Sequence, residues 1–121
     1  MAEARERLQR LKKGIGALNK EIPKTMENFF GFVGSALKDE ALTVKQKELI
    51  AIALSIKAGC VDCITLHAFQ ALEAGCNRKE IMEAAGMAMV FGGGPTLGAA
   101  ATVLTEALDE FAADFPQQMA C

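Results

Sequence analysis

Cys60-Val61-Asp62-Cys63-Ile64-Thr65-Leu66-His67 is the stretch on which the reading of this chain turns. Two thiols stand three positions apart, and an imidazole follows four positions after the second. In an α-helix, residues three, four and seven apart share one side, so 60, 63 and 67 would form a single stripe. Gly59, just upstream, is a plausible stop for a preceding helix. Cys60 would then lie at a helix start, where unpaired N–H groups and the positive dipole end favour a thiolate.

Working outward, Thr43-Val44-Lys45-Gln46 fits a capping box and predicts a helix start. Glu48 follows three polar residues, and Leu49 to Ile56 is then apolar except for Ser55. A helix apolar all round is expected at the centre of the molecule. The helical neighbours of Glu48 at 44, 51, 52 and 55 are Val, Ala, Ile and Ser. Desolvation there would raise its pKa toward the range useful for proton transfer.

Downstream, the cysteine helix is expected to run to about Ala74 and to stop at Gly75. Asn77-Arg78-Lys79-Glu80 opens another helix with capping-box chemistry, carrying Ile81, Met82, Ala85, Met89 and Val90 inward. Ala84 to Thr105 carries no charge, but Gly92-Gly93-Gly94-Pro95 in its middle would break a membrane-spanning helix. The stretch reads as two buried helices joined by a turn. Pro95 starts the last helix, with Leu97, Val103, Leu104, Leu108 and Phe111 inside. Pro116 is expected to end it, leaving a loose tail that includes Cys121.

At the other end, residues 3–20 read as an amphipathic helix with Leu8, Leu11, Ile15 and Leu18 on one face, an arm docking on its own subunit or a neighbour. Pro23 suits the first turn of the next helix, which runs to about Lys38 with Phe29, Phe30, Phe32, Val33 and Leu37 as core candidates. No strand-like alternation, repeat or linker interrupts this pattern. The expected fold class is all-α, a compact bundle of about six helices forming one domain over residues 1–121, with a motif unit at 22–112.

Composition narrows the function. Of the 121 residues 51% are hydrophobic, yet Trp and Tyr are absent, so the core is built from small side chains that each bury little area. A small domain with this much apolar surface is expected to be a homo-oligomer. The net charge is −2 and no basic block occurs, so nucleic acid and anionic membranes receive no electrostatic support as partners. The opening residues are charged and lack an apolar signal core, and a cytoplasmic location is expected.

There are four cysteines, at 60, 63, 76 and 121. In a cytosolic chain a Cys-x-x-Cys pair points to redox or metal chemistry. Near a helix start one thiol ionises more easily, and the other is close enough to form a disulfide. His67 could hold or accept the proton at neutral pH. The competing readings are a hydrogen-bonded core histidine, two buried small residues, and a zinc site using Cys60, Cys63 and His67 with Glu48 or Cys76 as fourth ligand. Covalent haem is excluded because the histidine does not follow Cys63 directly. Cys76 reads as a small apolar filler, as do the methionines at 82, 87 and 89.

The set Glu48, Cys60, Cys63 and His67, with its flanks Lys47-Glu48-Leu49-Ile50-Ala51 and Ala74-Gly75-Cys76-Asn77-Arg78-Lys79-Glu80-Ile81, resembles the motif of the alkylhydroperoxidase D-like proteins of the carboxymuconolactone decarboxylase-like superfamily. The resemblance covers roughly residues 22–112. It implies an all-α fold assembling as a homotrimer or homohexamer and a thiol peroxidase cycle without cofactor or metal. Cys63 would attack the peroxide and become a sulfenic acid. Cys60 would resolve it to a disulfide and meet the external dithiol reductant, a lipoyl-bearing protein in the best-known members. Glu48 and His67 would relay the proton. A sulfenic acid beside a resolving thiol also fits the general oxidation chemistry of cysteine. The alternatives are a dithiol–disulfide oxidoreductase without peroxidase activity, a zinc-stabilised helical oligomer, and a decarboxylase-type lyase that needs no thiols. Asp62, between the cysteines, opposes thiolate formation unless it points to solvent.

Overall fold

The computed structural model describes residues 3–119, and every regular element among them is helical. Five long helices come first: α1 (Glu3–Glu21), α2 (Pro23–Leu37), α3 (Val44–Ala58), α4 (Val61–Glu73) and α5 (Arg78–Gly92). A continuous run follows, made of α6 (Gly94–Ala99), a π-helical turn (Ala100–Leu104) and α7 (Thr105–Phe111). A 3₁₀ turn and the short α8 (Pro116–Met119) close the described chain. Counted as runs, this is the expected all-α bundle.

Local chemistry explains the boundaries nearest the site. Thr43 caps α3 by accepting from the Gln46 backbone N–H while the Gln46 side chain accepts from Thr43 N–H; Asn77 and Glu80 do the same for α5. Gly59 ends α3 at φ +70°, a left-handed conformation that costs glycine no Cβ clash. Its N–H donates to Ile56 O and the Cys60 N–H donates to Ser55 O, so the turn uses up the last carbonyls of α3. The π turn has a local cause as well. The hydroxyls of Thr102 and Thr105 donate to carbonyls four residues back, competing with the backbone ladder, and the Thr105 N–H reaches Ala100 O.

Ile52 and Ile56 of α3, Ile64, Ala68 and Leu72 of α4, Ile81 of α5, and Leu104, Leu108 and Phe111 form the buried core. α1 lies across α4 and α7. Its first-turn amides at Ala4 and Arg5 donate to the Glu110 carboxylate, an anion at a helix N-terminus, and Ala4 and Leu8 are buried beneath it.

Several expectations about burial need correction. Phe29, Phe30 and Phe32 are exposed, Phe32 at 69%, and α2 buries Met26 alone. The less exposed positions of α2 are 26, 33 and 37, spaced seven and four, and Phe29, Phe30 and Phe32 all stay outside them. Val90 and Leu97 are exposed too. α3 is not covered all round: Ile50 and Leu54 face outward and, with Leu49, Ala53, Ala84 and Met87, line an apolar groove of about 520 Å³. The C-terminal segment is not loose up to Met119. Phe115 packs edge-on against Phe69, and the Gln118 amide donates to Leu72 O. Pro116 opens α8 rather than ending a helix, since α7 already stops at Phe111. Cys121 lies outside the described residues.

Candidate active site

The turn at Gly59 packs the start of α4 against α3 and decides the site. Cys60 is the N-cap of α4, and its sulfur accepts the Cys63 backbone N–H at 3.2 Å. Cys63 lies in the first turn, and the two sulfurs are joined in a disulfide. The same turn is braced from behind. The Thr65 hydroxyl, fully buried, donates to Val61 O, and Arg7 of α1 donates to that hydroxyl at 3.4 Å.

One turn further along α4, His67 Nδ1 lies 2.8 Å from Oε1 of Glu48 on α3. Glu48 is 3% exposed. An ionised carboxylate only accepts, so opposite it Nδ1 carries a proton, and in the neutral imidazole Nε2 then holds the free lone pair. A carboxylate so enclosed needs such a partner, because burying a charge without one is costly. All four residues expected at the site are therefore assembled at one junction: Cys60, Cys63 and His67 on one face of α4, and Glu48 across from them.

Asp62 is exposed and lines a groove of about 440 Å³ with Arg10, Leu11, Gly14, Ile15 and Leu18 of α1. Its exposure to solvent is the condition under which it does least to oppose a thiolate. Cys76 is fully buried, its Sγ 3.5 Å from Lys45 O. Burial foremost, then the nearby Glu80 carboxylate, pushes its thiol up to about 11. It therefore stays a neutral filler, as expected. Glu80, beside it, is held below the usual carboxylate range by the Asn77 backbone N–H and then by Lys45.

Two residues escaped the reading of the motif. Arg7 acts from outside it, with no spacing signal to reveal it. Gln70 does carry a signal, since it continues the 60, 63, 67 stripe by three. Its Oε1 is enclosed and meets no hydrogen-bond donor among the described residues. Gln70 and Glu48 line one recess together with Val44, Glu73 and Ala74.

Fold and site together define an all-α protein with a Cys-x-x-Cys pair at a helix N-terminus, backed by a carboxylate–imidazole pair. The profile of the carboxymuconolactone decarboxylase family matches residues 23–106, and the chain belongs to that family. It is 36% identical over 93 residues to the uncharacterized protein H16_B0147 of Cupriavidus necator, covering 77% of this chain and 82% of that one. The Legionella pneumophila carboxymuconolactone decarboxylase family protein lpg0406 superposes with a TM-score of 0.88 at 36% identity, over 93% of this chain and 99% of the other. The Thermotoga maritima family member TM1620 gives 0.73 at 27% identity, over 88% and 93%.

Proposed function

We propose that the protein is a thiol-dependent peroxidase that reduces hydrogen peroxide and alkyl hydroperoxides through a Cys60–Cys63 dithiol–disulfide cycle. The observation that carries this reading is the buried Glu48 bonded to His67 Nδ1 at 2.8 Å, one turn from a cysteine pair that closes into a disulfide. His67 Nε2 takes the proton of Cys63. The Cys63 thiolate attacks the terminal peroxide oxygen, the O–O bond breaks, and the departing alkoxide takes the proton back from His67 as an alcohol. Cys63 is then a sulfenic acid. The Cys60 sulfur attacks it, the S–S bond forms, and the hydroxyl leaves as water. A dithiol substrate supplies two electrons and two protons to reopen the disulfide. Glu48 keeps the imidazole in the tautomer that presents Nε2.

The Thermotoga maritima relative has been considered for an antioxidative role, which agrees with this cycle. A lipoyl-bearing protein suits the reductant, since its dithiol can exchange with a disulfide at a helix start. A homotrimer or homohexamer suits the exposed phenylalanines of α2, each worth about 1.5–3 kcal/mol when covered. A reducing cytoplasm suits a disulfide that must reopen. No helix among the described residues is long and apolar enough to cross a membrane.

The test is peroxide added to the reduced protein, read by mass spectrometry. Loss of two hydrogens with a Cys60–Cys63 cross-link is expected, and Cys63→Ser should abolish peroxide consumption. Consumption that survives Cys63→Ser overturns the assignment. Oxidation by a disulfide but not by peroxide indicates the second reading, dithiol–disulfide exchange alone, which the closed disulfide also favours. A lyase of the decarboxylase type would keep its activity with both thiols replaced.

A further inference from the structure

Arg7 lies outside the residues matched to the family, yet it reaches the helix that carries the cysteines. Its Nη1 donates to the Thr65 hydroxyl at 3.4 Å, and that hydroxyl donates in turn to Val61 O at 3.0 Å. Thr65 is 1% exposed and the Arg7 side chain 18%, so water competes little for either bond. Glu3 also meets Arg7 at 3.4 Å, but its side chain is 61% exposed and solvent screens what it offsets. A hydroxyl bonded to a carbonyl four residues back does not stabilise a helix by itself. Helix stability alone therefore gives no reason for the chain Arg7, Thr65, Val61. Val61 opens α4, and the peptide bearing its carbonyl also bears the Asp62 N–H, one of the unpaired amides of the helix start. A cation at the far end of a hydrogen-bond chain polarises each bond in it. Pull on that carbonyl makes the start of α4 more positive. The sulfurs sit at that start, where the Cys63 N–H donates to Cys60 Sγ at 3.2 Å.

We propose that Arg7 and Thr65 are positioning residues that set how readily the Cys60–Cys63 disulfide is reduced, by polarising the Val61 peptide at the start of α4. Reduction breaks the S–S bond and adds two electrons and, where one sulfur stays ionised, one proton. The reduced pair then carries one negative charge that the disulfide lacks. What favours that charge favours the reduced form and makes the disulfide easier to open. Asp62 on the same turn opposes the charge, and Arg10 shares its groove; both are exposed and screened. Glu48 and His67 together carry one negative charge while the imidazole is neutral. The relay from Arg7 is the counterweight to these carboxylates. Its use in turnover rests on the peroxidase reading, in which the disulfide reopens once per cycle.

The measurement is equilibration of the whole protein with mixtures of reduced and oxidised dithiothreitol at fixed neutral pH. Alkylation stops it, and mass spectrometry of the peptide carrying Cys60 and Cys63 gives the ratio of reduced to oxidised pair. Arg7→Gln should lower that ratio about fivefold, the worth of roughly one net hydrogen bond and about 20 mV for two electrons. Thr65→Val, which keeps the shape and loses the hydroxyl, should do the same. Thr65→Ser, which keeps the hydroxyl, should stay within about twofold of the wild type. The double variant Arg7→Gln with Thr65→Val should also lie about fivefold away rather than about twenty-five-fold, because both changes cut one chain. Arg7→Gln, at a position partly open to solvent, covers the case in which Thr65→Val does not fold. A lower melting temperature with an unchanged ratio makes both residues structural and overturns the proposal. So does a twenty-five-fold double variant, in which the guanidinium acts by its own charge, or a Thr65→Ser protein that behaves like Thr65→Val. If the ratios shift as stated while the wild type consumes no peroxide, the relay stands and the peroxidase reading falls. Peroxide turnover with unchanged ratios removes the relay and leaves the peroxidase reading in place.

Discussion

α2 and α3 are both 15 residues long, both apolar in much of their length, and opposite in what their own chain does with that surface. α3 places Glu48, Ile52, Ser55 and Ile56 on one buried stripe, meets α4 and α5, and carries the carboxylate of the site. α2 buries Met26, touches α1 and little else, and turns Phe29 and Phe32 outward. The difference lies in the neighbours as much as in the spacing. α3 has α4 and α5 to cover it and α2 has mainly α1, while phenylalanines at 29, 30 and 32 spread around the axis and cannot all meet one helix. What the fold needs and what the outer surface offers are thus separated onto two helices of equal length.

The sharpest way to break this comparison is at the site. Glu48→Gln keeps the shape of the side chain but removes the charge that fixes the His67 tautomer. Peroxide turnover, followed in single-turnover mixing, should fall about 10²- to 10⁴-fold, the usual worth of a positioned acid–base pair. A wild-type rate would show that the buried carboxylate serves stability alone.

Core packing comes next. Ile52→Ala should cost about 2–5 kcal/mol in urea unfolding, because the enclosed site cannot collapse around the lost carbons. Phe32→Ala, at an exposed position, should stay within about 0.5 kcal/mol for the isolated chain. If the two losses match, the monomer uses both helices alike and the contrast fails. The outward phenylalanines have their own readout. Phe29→Ser combined with Phe32→Ser should move the sedimenting species toward monomer while helix content by circular dichroism is kept. An unchanged mass removes α2 from any assembly.

A smaller effect belongs to the capping box. Thr43→Ala should cost about 1 kcal/mol, measurable as a shift in the denaturation midpoint, since it removes the acceptor for the Gln46 N–H. The smallest concerns Cys76. With its thiol pushed up to about 11, the folded chain keeps it protonated at pH 8, and it should alkylate far more slowly than reduced Cys60 and Cys63. The sign for stability follows. The unfolded thiol ionises above its ordinary value of 9.0 and the folded one does not, so this group leaves stability untouched below pH 9 and erodes it as pH rises from there. Alkylation of all three at equal rates would show the pocket around Cys76 to be open.

The site was largely legible because its determinants are local. The capping boxes at Thr43 and Asn77, the left-handed turn at Gly59, and the stripe 60, 63, 67 all depend on contacts a few residues apart, and each appears where spacing puts it. The pairing of Glu48 with His67 was legible in a weaker sense, through the apolar run that makes Glu48 the last carboxylate before the core. The outward turn of Phe29 and Phe32 was not, because an apolar side chain carries no label for which partner covers it.

Long-range contacts account for what remained hidden. Glu110 reaches the first turn of α1 across more than a hundred residues, Phe115 and Gln118 fasten the C-terminal segment to α4, and Gln70 shares a recess with Glu48 only because α3 packs on α4. Helix starts, helix stops and the order of chemical groups along α4 follow from short-range sterics and hydrogen bonding, so the linear chain contains them. Which faces meet, how deep the carboxylate lies, and which amide oxygen is enclosed without a donor depend on the packing of distant segments, where many arrangements share one local pattern and only the assembled core selects among them.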